Sequence, residues 1–336
     1  MKRRTLLSAG LAGATTPLIK PIPTWAQDRP FKIYRVTFRG RTAVEEGFDD
    51  YLAANGIAVE MINRDIGRDR TLLPGMVEEI RDLRPDLVTT WGTTVTLGIA
   101  GRYDVEDPRP FIRDIPVVFA LVSAPVNSRL VPNLTATGRN VTGAVHVVPT
   151  ETQLRAMASY RPFQRLGVLY TPIEQNSVSI VGDLETLSQQ MGFDLVTRQF
   201  TIDADGRPTA DGVEDRIAEI KADGAEWLYL LPDTFLGTVY DRVVPAALAQ
   251  QLPTFGAAEL AVRQGGALVA LVSRYYSVGQ LAASKAAQVL TEGRAPSTIP
   301  IETLRRFSLI INIEVARQLA LYPPIEMLNY AEVLTG

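Results

Sequence analysis

The sequence predicts an α/β protein made of two doubly wound parallel-sheet lobes joined by a hinge. Three observations predict it. Apolar runs of mostly four to six residues alternate with amphipathic stretches, the alternation occurs twice, and a segment with Gly138, Asn140 and Gly143 separates the two sets. Runs this short and this apolar suit strands covered on both faces, as in parallel sheets. A chain of 336 residues is too long for one compact core and comfortable for two.

The first set of predicted strands covers 31–37, 59–63, 87–90 and 117–120. The second covers 165–170, 194–199, 227–231, 254–256 and 267–271. Between them, Val213, Ile217 and Ile220 share one face of a predicted helix. Val278, Leu281, Ala282, Ala286, Val289 and Leu290 share a face of another. Thr150 to Gln153 has the form of a capping box at a helix start. Residues 133–149 are predicted as the segment that crosses from one lobe to the other.

Residues 1–26 are predicted as a signal peptide. Met1-Lys2-Arg3-Arg4 is a positive start, Leu6 to Ile19 carries no charge, and Thr24-Trp25-Ala26 fits a small-residue cleavage site. The apolar stretch is too short to span a bilayer. Arg3-Arg4 followed by Thr5-Leu6-Leu7 fits a twin-arginine signal, and a general secretion signal that begins Lys-Arg-Arg is the other reading. Both predict an exported, soluble protein in the periplasm. The chain has no cysteine, which excludes thiolate nucleophiles, disulfides, Cys-ligated metals and lipid anchoring through an N-terminal cysteine. Its single histidine, His146, excludes a multi-His metal site, so no metal and no cofactor is expected. Lys2, Arg3, Arg4 and Lys20 lie in the first 26 residues with no acid, which leaves 30 basic against 37 acidic residues beyond them. A net charge of −7 argues against a nucleic-acid partner.

In doubly wound sheets, ligands sit beyond the carboxyl ends of the strands. The residues after each predicted strand are therefore the candidates. Gly92, Thr93 and Thr94 follow the run 87–90: the glycine permits a tight turn, and the hydroxyls stand where a helix begins. Free N–H groups there suit a carboxylate, while simple capping by threonine is the alternative. Ser123 follows 117–120. Asn176 and Ser177 open a predicted helix over 177–191, as caps or as ligand contacts. Asp233 and Thr234 follow 227–231, and Asp233 either receives a ligand ammonium or caps a helix. Glu259, after 254–256, has the same two roles open to it.

An ordered set of segments carries a family resemblance. It runs from Asp114-Ile115-Pro116-Val117-Val118-Phe119 and Ser123-Ala124-Pro125 through Asn140-Val141-Thr142-Gly143 to 165–172 and Asn176-Ser177. It continues with 263–268, Tyr275-Tyr276-Ser277-Val278-Gly279, Pro300-Ile301-Glu302-Thr303 and Leu309-Ile310-Ile311-Asn312. Over nearly all of the chain beyond the signal peptide, the sequence resembles the ABC-transporter substrate-binding proteins of the tryptophan/tyrosine-binding type. The resemblance implies a type I periplasmic binding protein-like fold with three hinge crossings. It implies one lobe of 29–145 plus 273–300 and another of 146–272 plus 301–336. It also implies an aromatic amino acid ligand, its carboxylate on Thr93, Thr94 and Ser123. Asn176, Asp233 and Glu259 would then take the ammonium and the closing contacts, with Tyr276 near the hinge. Trp91, Phe119 and Tyr276 would stack on a flat ligand or fill the core. Ala124 and Arg274 stand where acids are common in that family, which favours a neutral or anionic solute.

The expected function is that of the periplasmic solute-binding component of an ABC importer. It would close on a small solute, most simply an amino acid, and deliver it to an inner-membrane permease and its ATPase. A monomer is expected, because docking uses exposed lobe surfaces. A periplasmic sensor subunit reporting to a membrane kinase is the alternative, since it needs the same closing cleft. Catalysis is not expected: there is no cysteine pair for a racemase and no Gly-x-Ser-x-Gly elbow to serve His146.

Overall fold

The computed structural model describes residues 29–335, so the signal peptide expected at 1–26 lies outside the described residues. The chain opens with β1 (Phe31–Thr37), α1 (Ala43–Ala54), β2 (Val59–Asp65), α2 (Leu73–Leu83), β3 (Leu87–Trp91), α3 (Gly92–Ala100), β4 (Val117–Ala120) and β5 (Val141–Val145). It continues with α4 (Thr150–Tyr160), β6 (Arg165–Tyr170), α5 (Gln175–Met191), β7 (Asp194–Gln199), a hairpin of β8 (Thr201–Ile202) and β9 (Pro208–Thr209), and α6 (Val213–Ala222). Next come β10 (Trp227–Leu230), α7 (Tyr240–Ala249), β11 (Thr254–Gly256), α8 (Glu259–Arg263), β12 (Val269–Val272) and α9 (Tyr275–Glu292). The last elements are β13 (Glu302–Thr303), β14 (Ser308–Asn312), α10 (Ile313–Gln318), α11 (Ile325–Leu328) and β15 (Glu332–Leu334).

Two large sheets result. The first has the order β13-β5-β4-β3-β1-β2 and the second β15-β14-β12-β11-β10-β6-β7. All pairings in them are parallel except that of β12 with β14. Central strands β3, β4 and β10 are buried throughout, which is why they read as predominantly apolar runs, interrupted by Thr89 and Thr90 of β3. Each sheet carries its own hydrophobic cluster. The chain passes between the sheets after β5, after β12 and after β13.

Three local expectations differ from the structure. The predicted crossing segment 133–149 contains β5, a buried strand of the first sheet. The capping box at Thr150 does not form: α4 is preceded by Pro149 with no side-chain cap. Gln153 is instead buried, donating to the carbonyls of Ala257 and Leu271 and accepting from the Tyr229 hydroxyl. A capping box does form at Thr42 and Glu45, where α1 begins. Finally, Glu302–Thr303 pair with β5 of the first sheet, although 301–336 was expected with the second lobe.

Helix α9 packs along α1, and glycine makes the approach possible. A Cβ on Gly47 would stand 2.0 Å from the Tyr276 carbonyl oxygen, and one on Gly279 would stand 2.0 Å from that of Val44. Lys285 of α9 is buried and donates to the Pro300 carbonyl at 2.6 Å and to Glu302 at 2.6 Å. Its ammonium thereby fixes β13 to the edge of the first sheet.

Candidate functional site

The carboxyl ends of the strands of both sheets converge on one cleft of about 430 Å³, counting its open mouth. From the first sheet, Arg39 comes after β1, Trp91 ends β3, Gly92 and Thr93 begin α3, Leu121 and Ser123 follow β4, and His146 follows β5. From the second, Asn176 lies in the first turn of α5, and Pro232, Asp233 and Thr234 follow β10. Tyr240, Leu260 and Tyr275 complete an apolar portion of the wall.

The strand-to-helix turn at β3 and α3 is built for an acceptor. Gly92 has φ +78°, a left-handed conformation that a side chain disfavours. Trp91 occupies the N-cap position and offers no side-chain acceptor, so the first-turn N–H groups of α3 are uncapped. Thr93 is buried at the cleft wall, and Thr96 turns inward to the Gly92 carbonyl at 2.7 Å. At the end of β4, Leu121 holds φ 62°, strained for a residue with a side chain, and is kept there by its N–H bond to Ala144 O at 3.1 Å.

Arg39 is the cation of this cleft, and the sequence reading passed over it. Its guanidinium lies 4.8 Å above the Trp91 ring, which itself stacks on Phe38 at 6.2 Å. Nη1 donates across the cleft to the Gly237 carbonyl at 2.9 Å, and Nε is buried without a partner. A second bond between the lobes runs from Asn127 Nδ2 to Ser179 Oγ at 2.6 Å. Two more buried nitrogens of cleft residues lack partners, Trp91 Nε1 and His146 Nδ1. Burial, reinforced by the nearby Arg39 charge, pushes the His146 pKa down to about 3, so its imidazole is neutral. Burial likewise pushes the Tyr275 hydroxyl up to about 12.

The acids expected to meet an ammonium are already engaged. Asp233 accepts from Thr171 N at 2.7 Å, Thr171 Oγ1 at 2.9 Å and Leu236 N at 2.8 Å. Ser177 is buried behind the wall, where its hydroxyl accepts from Asn176 Nδ2 at 3.4 Å. Glu174 accepts from the N–H groups of Thr234 and Phe235 at 2.7 and 2.9 Å. Burial raises the pKa of both Glu174 and Asp233, and the Asp233 charge adds to the effect on Glu174. Glu259 does not line the cleft: it receives Arg263 Nε at 2.8 Å and Tyr275 N at 2.6 Å, and Arg274 stands 3.7 Å away. It ties α8 to the start of α9.

Of the sequence-predicted residues, Gly92, Thr93, Ser123, Asn176, Asp233 and Thr234 meet at the cleft. Thr94 is half-buried on α3 outside the cleft lining. Tyr276 faces α1, its hydroxyl donating to Asp50 at 2.8 Å, and the neighbouring Tyr275 takes the cleft position. Phe119 is core, while Trp91 does line the cleft. Arg39, His146 and Tyr240 were missed. Arg39 had a signal, since it follows the first strand as the other candidates follow theirs.

The fold has solved counterparts. A conserved domain protein of Vibrio cholerae O1 biovar El Tor is 24% identical, with a TM-score of 0.79 over 91% of this chain and 100% of its own. The ABC domain from Streptococcus pneumonia in complex with L-Trp is 21% identical, with a TM-score of 0.75 over 90% of this chain and 100% of its own. A "Tyrosine-binding protein" of Clostridioides difficile is 26% identical over 208 residues, 62% of this chain; the match spans 57% of that relative's length. The architecture is therefore the two-lobed type I periplasmic binding protein fold. The family model for "ABC transporter substrate binding protein" matches residues 35–334, and the chain belongs to that family, whose members bind solutes and are not enzymes.

Proposed function

We propose that this chain is the solute-binding component of an ABC importer, working in the periplasm as a monomer and delivering its solute to a membrane permease and its ATPase. The solute is of amino acid size and carries a carboxylate, which binds in the interlobe cleft. The observation that carries this reading is the set of donors on the first-lobe wall: the Arg39 guanidinium, the uncapped start of α3, and the hydroxyls of Thr93 and Ser123. Helix N-termini and guanidinium groups are both suited to carboxylates. Asn176 and Thr234 on the opposite wall supply the contacts that make closure depend on the solute. The names of the relatives, which bind tyrosine and L-Trp, agree with a solute of this size. No helix among the described residues is long and apolar enough to cross a membrane.

A thermal-shift screen of the purified protein against amino acids, aromatic acids, purines and small peptides tests it. A ligand at 100 times its dissociation constant adds about 2.7 kcal/mol to the folded state. Carboxylate-bearing solutes are expected to raise Tm, and Thr93→Ala to diminish the shift. Purines alone raising it, or no compound doing so in protein refolded free of carried-over ligand, would reject the carboxylate-solute assignment.

A further inference from the structure

We infer that the solute is an organic acid lacking an ammonium group, a 2-oxo or 2-hydroxy acid with an apolar side chain, rather than a zwitterionic amino acid. This rests on the cleft being the solute site and specifies what fills it. Arg39 touches the Gly237 carbonyl and the Trp91 ring, and among the described residues it forms no ion pair. The buried nitrogens Arg39 Nε, Trp91 Nε1 and His146 Nδ1 have no partners. The first turn of α3 is uncapped. Every one of these features except the neutral imidazole calls for an acceptor or a negative charge.

Among the described residues, the one carboxylate that lines the cleft, Asp233, is engaged by its own lobe. An ionised carboxylate has about four acceptor sites. Asp233 receives three donors from its own lobe, namely Thr171 N, Thr171 Oγ1 and Leu236 N. Glu174 sits behind Thr234 and Phe235, holding their N–H groups. Glu259 is occupied by Arg263, Arg274 and the Tyr275 N–H. An ammonium brought into this cleft would lose its hydration, find these carboxylates already engaged by the protein's own donors, and lie in the field of Arg39. A carboxylate would find the guanidinium, the helix start and the hydroxyls together. Trp91, Tyr240 and Tyr275 leave an apolar surface for the remainder of the molecule.

Isothermal titration of the purified, ligand-free protein with matched triplets tests the inference. The triplets are phenylpyruvate, L-phenylalanine and phenethylamine; 4-hydroxyphenylpyruvate, L-tyrosine and tyramine; and 4-methyl-2-oxopentanoate, L-leucine and isopentylamine. In at least one triplet the oxo acid should bind at least about tenfold more tightly than the amino acid, with no binding by the amine. Arg39→Gln should weaken the acid by a further factor of about ten, and Arg39→Lys by less. An amino acid that binds as tightly as its oxo acid, or an amine that binds at all, overturns the inference while leaving the solute-binding assignment intact. Silence from all nine compounds, together with an empty thermal-shift screen, removes the carboxylate-solute assignment and this inference with it. The wild-type comparison stands even where a variant fails to fold.

Discussion

His146 sits at the cleft with a neutral imidazole, and because it is the chain's single histidine its titration can be read without assignment. Its ring protons in NMR spectra should not shift between pH 8 and pH 5, whereas an ordinary histidine titrates near 6.5. A midpoint above pH 5.5 would contradict the burial described. The sign for stability follows from the depressed value. Below about pH 6.5 the unfolded chain takes up a proton that the folded one refuses, so this contribution is full above that pH and is lost as pH falls toward 3. His146→Gln should therefore flatten the loss of stability between pH 7 and pH 5 in urea melts. Residues such as this one mark the limit of what the sequence tells. Asp233 and Glu259 were legible as acids after strands, and a carboxylate in that position looks the same whether it is free or engaged. Only the folded loops bring Thr171 to Asp233, and Arg263 and Arg274 to Glu259.

The central strands and amphipathic helices were readable because burial on two faces or on one leaves an unmistakable pattern. Short strands with polar residues were not. β5 contains Thr142 and Gly143, yet all its residues but Val145 are buried, because Thr142 satisfies its hydroxyl on the Ile299 carbonyl at 2.8 Å. β13 is two residues long and owes its place to Lys285, whose partner lies 17 positions away in sequence. Lys285→Ala leaves the Pro300 carbonyl without its donor and should cost about 1–3 kcal/mol in urea denaturation. The α1 and α9 crossing is likewise invisible in a hydropathy pattern, since it depends on two glycines far apart in the chain. Gly279→Ala forces a methyl group against the Val44 carbonyl and should destabilise by about 1–3 kcal/mol or more, while Gly182→Ala, with open space at its Cβ, should not. Equal melting temperatures for the two variants would show that the helices separate at little cost.

At the scale of the whole molecule, three passages of the chain between two sheets leave a cleft whose walls are joined by few bonds. Arg39 to Gly237 and Asn127 to Ser179 are hydrogen bonds across it, and each contributes only about 0.5–1.5 kcal/mol net. Closure held by so little is poised to respond to a solute, whose differential contacts need supply only a few kcal/mol to set the population. The two bonds are not equivalent. Arg39 also faces the solute, so its loss mixes weaker contact with weaker closure. Asn127 and Ser179 do not line the cleft, so removing their bond changes closure alone. Asn127→Ala should therefore lower the closed fraction and weaken the apparent affinity by roughly two- to tenfold, with the change in the dissociation rate. It should leave the preference among carboxylate, amino acid and amine untouched. Small-angle scattering without solute should show a larger radius of gyration for Asn127→Ala than for wild type, and saturating solute should restore it. A variant with unchanged affinity and unchanged scattering would mean that the solute, and not the protein's own contacts, sets the closed state.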